Sequence, residues 1–133
     1  MKMSRKQIAK KIVNTVWEED ALEISSIDST NFDNDNYKKG LYFLLNKKGS
    51  VIYVGRISDA KTASLYMRLI GNGSGAHSMK DWYSEVEFVK FHKFPYENEQ
   101  LKIAERLAIQ KLCPVYNDVA TDQETLDKYH NKW

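Results

Sequence analysis

The sequence predicts a small α/β or α+β layer, in which helices cover one sheet. Two short β-rich runs, residues 40–46 (GLYFLLN) and 50–55 (SVIYVG), flank a lysine–glycine turn, which is a hairpin signal. A third β-rich run follows at residues 85–91 (EVEFVKF). Apolar residues recur at helical spacing before, between and after these runs. The chain has 133 residues, close to the usual size of one domain, so a single core is expected.

Ser4 and Gln7 form a capping box, and Ile8, Ile12, Val16 with Val13, Trp17 continue the pattern as a helix to about Trp17. Residues 21–37 are acidic and rich in Asn, Asp and Ser, and read as a connecting segment with a turn at Asn34–Asn36. The organisation is therefore residues 1–37 as helix and connection, and residues 38–133 as the compact domain. In the hairpin, Gly49 supplies the positive φ. Residues 61–70 (KTASLYMRLI) turn helical, with Ala63, Tyr66, Met67 and Ile70 as the apolar face and Ser64 and Arg68 pointing away together. The loop GNGSG at residues 71–75 ends that helix. In the third run, Val86, Phe88 and Lys90 alternate against Glu85, Glu87, Val89 and Phe91. A long helix opens at Glu97 or Asn98 and stops at Leu112, before Pro114. Thr121 and Glu124 cap a short terminal helix reaching Tyr129.

Composition excludes several classes. Hydrophobic residues make up 42% and charged residues 29%, which is globular rather than disordered. No apolar run is long enough to span a bilayer, and the basic N-terminus lacks the apolar core of a secretory signal. The lone Cys113 forms no internal disulfide and no thiolate set for zinc, so a reduced, cytoplasmic setting is expected. Net charge is only +2, but it is unevenly spread. Residues 18–35 carry seven acids and no base, whereas residues 38–80 carry eight bases against Asp59 alone. Such a block suits either a phosphate-facing surface or a solvated lysine-rich face.

Glu105 is the residue that fits its surroundings least. Leu101, Ala104, Ala108, Ile109 and Leu112 form one apolar stripe on the long helix, and Glu105 lies inside it. A carboxylate facing a core costs several kcal/mol unless a cation, a metal or several donors meet it. It reads either as half of a buried ion pair with a Lys or Arg, or as a metal ligand or acid at the floor of a cleft. Tyr42 and Tyr53 fall at similar positions on adjacent strands, each beside a glycine, Gly40 and Gly55. Tyrosines are ordinary strand formers, but strand glycines mark close approach of backbone or ligand. Arg68 on the following helix is either a solubilising residue or a fork for phosphate.

These residues, in this order, resemble the GIY-YIG nuclease domain. The two tripeptides stand here as G-L-Y (Gly40 to Tyr42) and Y-V-G (Tyr53 to Gly55), with a short hairpin between the tyrosines. The family arginine matches Arg68, and its glutamate matches Glu105 ahead of the tail P-V-Y-N, which supplies Pro114, Tyr116 and Asn117. That tail is similar to the one in the N-terminal half of bacterial excision-repair incision nucleases. The likeness covers the chain from Gly40 to Asn117. Many members carry a histidine one turn after the arginine, where this chain has Asn72; His77, beyond the glycine loop, is the candidate substitute.

The resemblance implies an α+β fold, with a small three-stranded, mostly antiparallel sheet flanked by helices and an N-terminal helical extension. It also implies a metal-dependent DNA endonuclease. One Mg²⁺ or Mn²⁺ would be held by Glu105, Arg68 would hold the scissile phosphate, and Tyr42 would activate water with Tyr53 positioning it. For that role the Tyr42 phenol needs a lowered pKa, with Arg56, Lys61 or the metal as causes, and His77 is the competing base. Asn117 would order Glu105 or the nearby backbone, and Gly40 and Gly55 would support the tyrosines. Lys47, Lys48, Arg56, Lys61 and Lys80 would contact DNA phosphates without reading sequence. No attached reading module is recognisable, so substrate choice would fall to shape, to a homodimer partner or to the N-terminal helix. The alternative is a module of the same fold that binds nucleic acid or a protein without cutting, and a phage or mobile-element accessory role is a third reading.

Overall fold

The computed structural model describes Ser4, Gln7, Lys11 and residues 20–58, 64–71, 77–93 and 98–117. The chain is α+β, built on a four-stranded, wholly antiparallel sheet in the order β1-β4-β2-β3. The strands are β1 (Leu22–Glu23), β2 (Lys39–Leu45), β3 (Val51–Ser58) and β4 (Phe88–Lys93). The expected hairpin is β2–β3, and it runs further than the sequence pattern suggested, with Lys39 paired to Ser58. Its turn is closed by Asn46, whose side-chain oxygen accepts from the Lys48 and Ser50 amides at 3.0 Å each. Gly49 there has φ +82°, a conformation that penalises any side chain.

β4 lies three residues later than the expected run, because residues Asp81–Glu85 are taken up by a 3-10 turn. The expected alternation fails there. Val89, Lys90, Phe91 and His92 are all buried, since β4 sits between β1 and β2 with both faces covered.

The sheet has a fourth strand where three were expected, and the addition comes from the acidic segment. Leu22 and Glu23 pair with Val89 and Phe88. Asp28 caps α1 (Ser29–Phe32), its carboxylate accepting from the Asn31 amide at 2.8 Å. The expected turn is present, with the Asn34 side chain accepting from the Asn36 amide at 3.0 Å. Residues 22–37 are therefore more than a connection. Ile27 and Phe32 are buried, and the Phe32, Tyr37 and Phe91 rings pack in series, tilted to one another, with centroids 4.8 and 5.2 Å apart. Apolar residues spaced among acids carry this segment onto the sheet, a pattern that net acidity obscures.

α2 (Asn98–Leu112) covers one face of the sheet. Its stripe of Leu101, Ala104, Leu107, Ala108 and Ile109 packs on Leu41, Phe43, Leu45 and Val54. Cys113 ends the helix at φ 47°, with its amide donating to the Ile109 carbonyl at 2.8 Å, and Pro114 follows. The opposite face holds Tyr42, Leu44, Ile57, Leu65, Leu69, Val86, Val89 and Phe91.

At the N-terminus the capping box forms reciprocally: the Ser4 amide donates to Gln7 Oε1 at 2.8 Å, and the Gln7 amide to Ser4 Oγ at 3.2 Å. The rest of the expected N-terminal helix, Lys61, the glycine loop with Asn72, and the expected terminal helix lie outside the described residues. Among the described residues no helix is long and apolar enough to cross a membrane.

Candidate functional site

β3 is an edge strand, and the hairpin register sets what gathers beside it. Tyr42 pairs with Gly55, and Leu41 with Arg56. Alternation therefore sends Tyr42 to the face away from α2 and Arg56 to the face that α2 covers. The two glycines of the tripeptides have separate physical reasons. A Cβ on Gly55 would lie 2.3 Å from the Tyr42 ring, so only glycine lets that ring fold across the edge strand. A Cβ on Gly40 would lie 2.3 Å from the His92 carbonyl oxygen, so glycine there lets β4 approach.

Tyr42, Tyr53, Gly55, Arg56, Arg68, His77 and Glu105 line one polar cleft of about 260 Å³. They come from both hairpin strands, the turn carrying Arg68, the 3-10 turn His77–Met79 and α2. The Tyr42 hydroxyl lies 2.6 Å from His77 Nε2, and the Tyr53 and His77 rings meet edge to face at 4.6 Å. Arg56 Nη1 donates to Glu105 Oε1 at 2.7 Å.

Arg68 sits in a π-helical turn, Met67–Gly71, a widened turn common at functional sites. It is exposed and faces the cleft. Its helical segment presents a different apolar face from the one the sequence suggested. Leu65 and Leu69 are fully buried and Ile70 is exposed, because leucines four apart lie on one stripe toward the core. Ser64 does not accompany Arg68 outward. It is buried, and its hydroxyl donates to Asp33 Oδ1 at 2.8 Å, tying this turn to the acidic segment.

Burial governs the electrostatics. It pushes the Glu105 carboxyl above the usual carboxylate range, against the opposing pull of Arg56, Arg106 and Arg68. It holds the Tyr42 phenol well above 10, with Tyr53 and Glu105 adding to the rise and Arg68 opposing it. The lowered phenol pKa expected at Tyr42 is therefore reversed, and the opposing cation is Arg68 rather than Arg56. Tyr53 is raised by burial and then by Glu105. His77 is lowered to about 4, by burial first and then by Arg68 and Lys80.

Both readings of Glu105 meet in this one place. It is the partner of an arginine, and it stands on the wall of a cleft with two phenols. Among the described residues no cluster of three His, Cys, Asp or Glu could hold a metal, so an ion here would rest on one carboxylate and water. Arg56 takes one oxygen of that carboxylate, and the cleft beside it is lined by the Tyr42 and Tyr53 phenols and the His77 ring. A single carboxylate completed by waters suits a hard, hydrated cation such as Mg²⁺ or Mn²⁺.

Not every expected residue joins the cleft. Lys47 and Lys48 line a separate open groove with Asn46, Ser84, Glu85 and Glu87, at the turn end of the hairpin. Lys80 is exposed near His77, within electrostatic reach of it. Asn117 orders backbone: its side-chain oxygen accepts from the Val54 amide at 2.8 Å and its amide donates to the Val54 carbonyl at 2.9 Å. With the Tyr116 amide, which donates to the Ile52 carbonyl at 3.0 Å, it supplies part of the pairing that edge strand β3 lacks.

Trp82 was not anticipated. It stacks on Tyr53 at 5.3 Å and on Tyr116 at 4.9 Å, and the Tyr116 hydroxyl bonds Glu85. Its only sequence signal is a tryptophan in a polar connection, which has no partner until the chain folds. No family model matches the chain, and no characterised protein or solved structure is significantly similar to it.

Proposed function

We propose that this chain is a metal-dependent endonuclease, hydrolysing phosphodiester bonds in DNA from a site like that of the GIY-YIG family. The observation that carries the reading is the convergence of Tyr42, Tyr53, Arg68, His77 and Glu105 on one polar cleft from segments up to 63 residues apart. The basic block around the cleft, Arg56 and Lys80 in particular, suits a polyanionic partner. A cytoplasmic setting and a homodimer on DNA belong to the same proposal.

In this reading Glu105 carries the divalent ion. Bound there, the ion would supply charge neutralisation at the leaving oxygen. Arg68 forks onto the scissile phosphate, and Tyr53, braced by Trp82, fixes the side of the cleft where water or phosphate rests. Tyr42 works as a relay rather than as a phenolate, because burial keeps its proton on. His77, neutral at pH 7, is close enough to take that proton as Tyr42 draws one from water. A phosphate on Arg68 offsets one of the cations that depress His77, so substrate raises the basicity of the group it needs.

The test is nicking of supercoiled plasmid with Mg²⁺ or Mn²⁺, beside Glu105→Ala. The native chain is expected to nick, and the variant to lose on the order of a hundredfold or more. Equal nicking by both sinks the assignment. The Arg56–Glu105 pair also favours a second reading, a non-cutting module whose carboxylate is permanently occupied. Retained DNA binding with no metal-dependent cleavage would select it.

A further inference from the structure

Arg56 and Glu105 are bonded at 2.7 Å, yet neither is sealed in: the side chains are 30% and 18% exposed, and both line the cleft. Arg56 reaches Glu105 from β3 on the face covered by α2, and Arg68 reaches the same cleft from the other side of the sheet. A buried carboxylate needs a cation nearby, and either a guanidinium or a divalent ion satisfies that need. The two compete. They seek the same carboxylate, whose Oε1 Arg56 already holds, and a guanidinium beside a divalent ion is repelled. A phosphodiester offers Arg56 another acceptor, because its planar fork matches phosphate oxygens as well as it matches a carboxylate.

We infer that Arg56 is a positioning residue that couples phosphate binding to divalent-ion binding. It guards Glu105 while the cleft is empty, and turns to a nucleic-acid phosphate as the ion takes the carboxylate. This rests on the reading of Glu105 as the ion-bearing residue. Coupling of this kind is reciprocal: whatever factor DNA adds to ion affinity, the ion adds to DNA affinity. It would also make the ion a poor ligand of the free protein, and so limit ion-dependent chemistry to the complex.

The experiment is Mn²⁺ titration of the full chain, read by the electron paramagnetic resonance of free Mn²⁺, with and without a short DNA duplex. It is run in a Tyr42→Phe background so that the duplex stays whole. The duplex is expected to tighten Mn²⁺ binding roughly tenfold, within the ordinary range of site–site coupling. Adding Arg56→Gln should tighten Mn²⁺ by a similar factor without DNA and abolish the effect of the duplex. A gain in affinity cannot come from a damaged fold, and coupling in the parent is read without any change at Arg56. Absence of that coupling, or Arg56→Gln binding Mn²⁺ no more tightly than the parent, overturns the inference. Glu105→Gln separates the two levels of failure. If it removes Mn²⁺ binding while Arg56→Gln changes nothing, the ion site stands and Arg56 has no such role. If it leaves Mn²⁺ binding intact, the ion reading and the coupling fall together.

Discussion

The two faces of the sheet divide the labour of the molecule. On the face covered by α2, Leu41, Phe43, Leu45 and Val54 meet Leu101, Ala104, Leu107 and Ala108 in a dry apolar layer. On the other face the same strands also bury leucine and isoleucine, but toward the β3 edge they present Tyr42, Tyr53 and, from the facing turn, His77. Tyr42 stands between Leu41 and Phe43, so one step along β2 crosses from pure packing to hydroxyl chemistry. Arg56 and Glu105, like the buried Lys90 and His92 of β4, are polar groups on the packed side, and they meet where that layer opens at the edge strand. The contrast teaches that stability and the candidate chemistry are carried by alternate residues of the same strands and can be perturbed separately.

The largest expected effect breaks the dry face. Phe43→Ala should cost about 3–5 kcal/mol, because Phe43 is among the largest fully buried side chains. Urea unfolding would show it as a lower midpoint at unchanged slope. A loss under about 1 kcal/mol would mean that the α2 layer is not the main support.

Gly55→Ala attacks the junction of the two faces. Its Cβ would push the Tyr42 ring off the edge strand, costing roughly 1–3 kcal/mol and removing cleavage together. Parallel melting and nicking assays check it, and full activity with an unchanged melting temperature would contradict the ring placement.

Glu105→Gln sharpens the comparison by separating function from stability. Removing half of a structural buried ion pair usually costs about 3–5 kcal/mol. Here burial already disfavours the carboxylate, and Arg56 is left with access to water. The expected stability change is within about 1 kcal/mol, alongside loss of nicking. Destabilisation in the larger range would make the pair a structural element.

The last effect is a slope. The folded pKa of His77, about 4, lies below its ordinary 6.5, so between those pH values the unfolded chain binds a proton that the folded chain refuses. Stability should therefore fall as pH drops from about 6.5 to 4, and His77→Gln should flatten that part of the curve. Thermal melts of both chains across this window would show the difference, and parallel curves would place His77 in solvent.

Local chemistry fixed a good deal in advance. The lysine–glycine turn wrote the hairpin, since a turn of that kind matches the twist of the strands it joins. The stripe from Leu101 to Ile109 wrote α2, and Pro114 its end. Gly55 and Tyr42 could each be named, Gly55 beside Tyr53 and Tyr42 beside Gly40, but not their contact with each other, because the Tyr42 ring lies on a glycine thirteen residues away only once the strands are paired. β1 was invisible, since two residues of strand have no pattern and exist only by pairing with β4. Lys47 and Lys48 read as part of a phosphate-facing block, and folding put them in another groove, because charge sums along a chain carry no direction.

The sequence by itself determined which residues of α2 are buried together, for the 3.6-residue period is a property of the backbone alone, whereas the Arg68 turn and β4 bury other faces than their patterns suggested. It also singled out Glu105, since a carboxylate in an apolar stripe demands a partner whatever the fold. The identity of that partner was a tertiary decision. Arg56 reaches Glu105 across 49 residues of chain, and Tyr42 reaches His77 across 35, through contacts that no local spacing encodes. The pKa directions followed from the same packing. Burial, which the residue types do not state, holds the Tyr42 proton on and keeps His77 neutral.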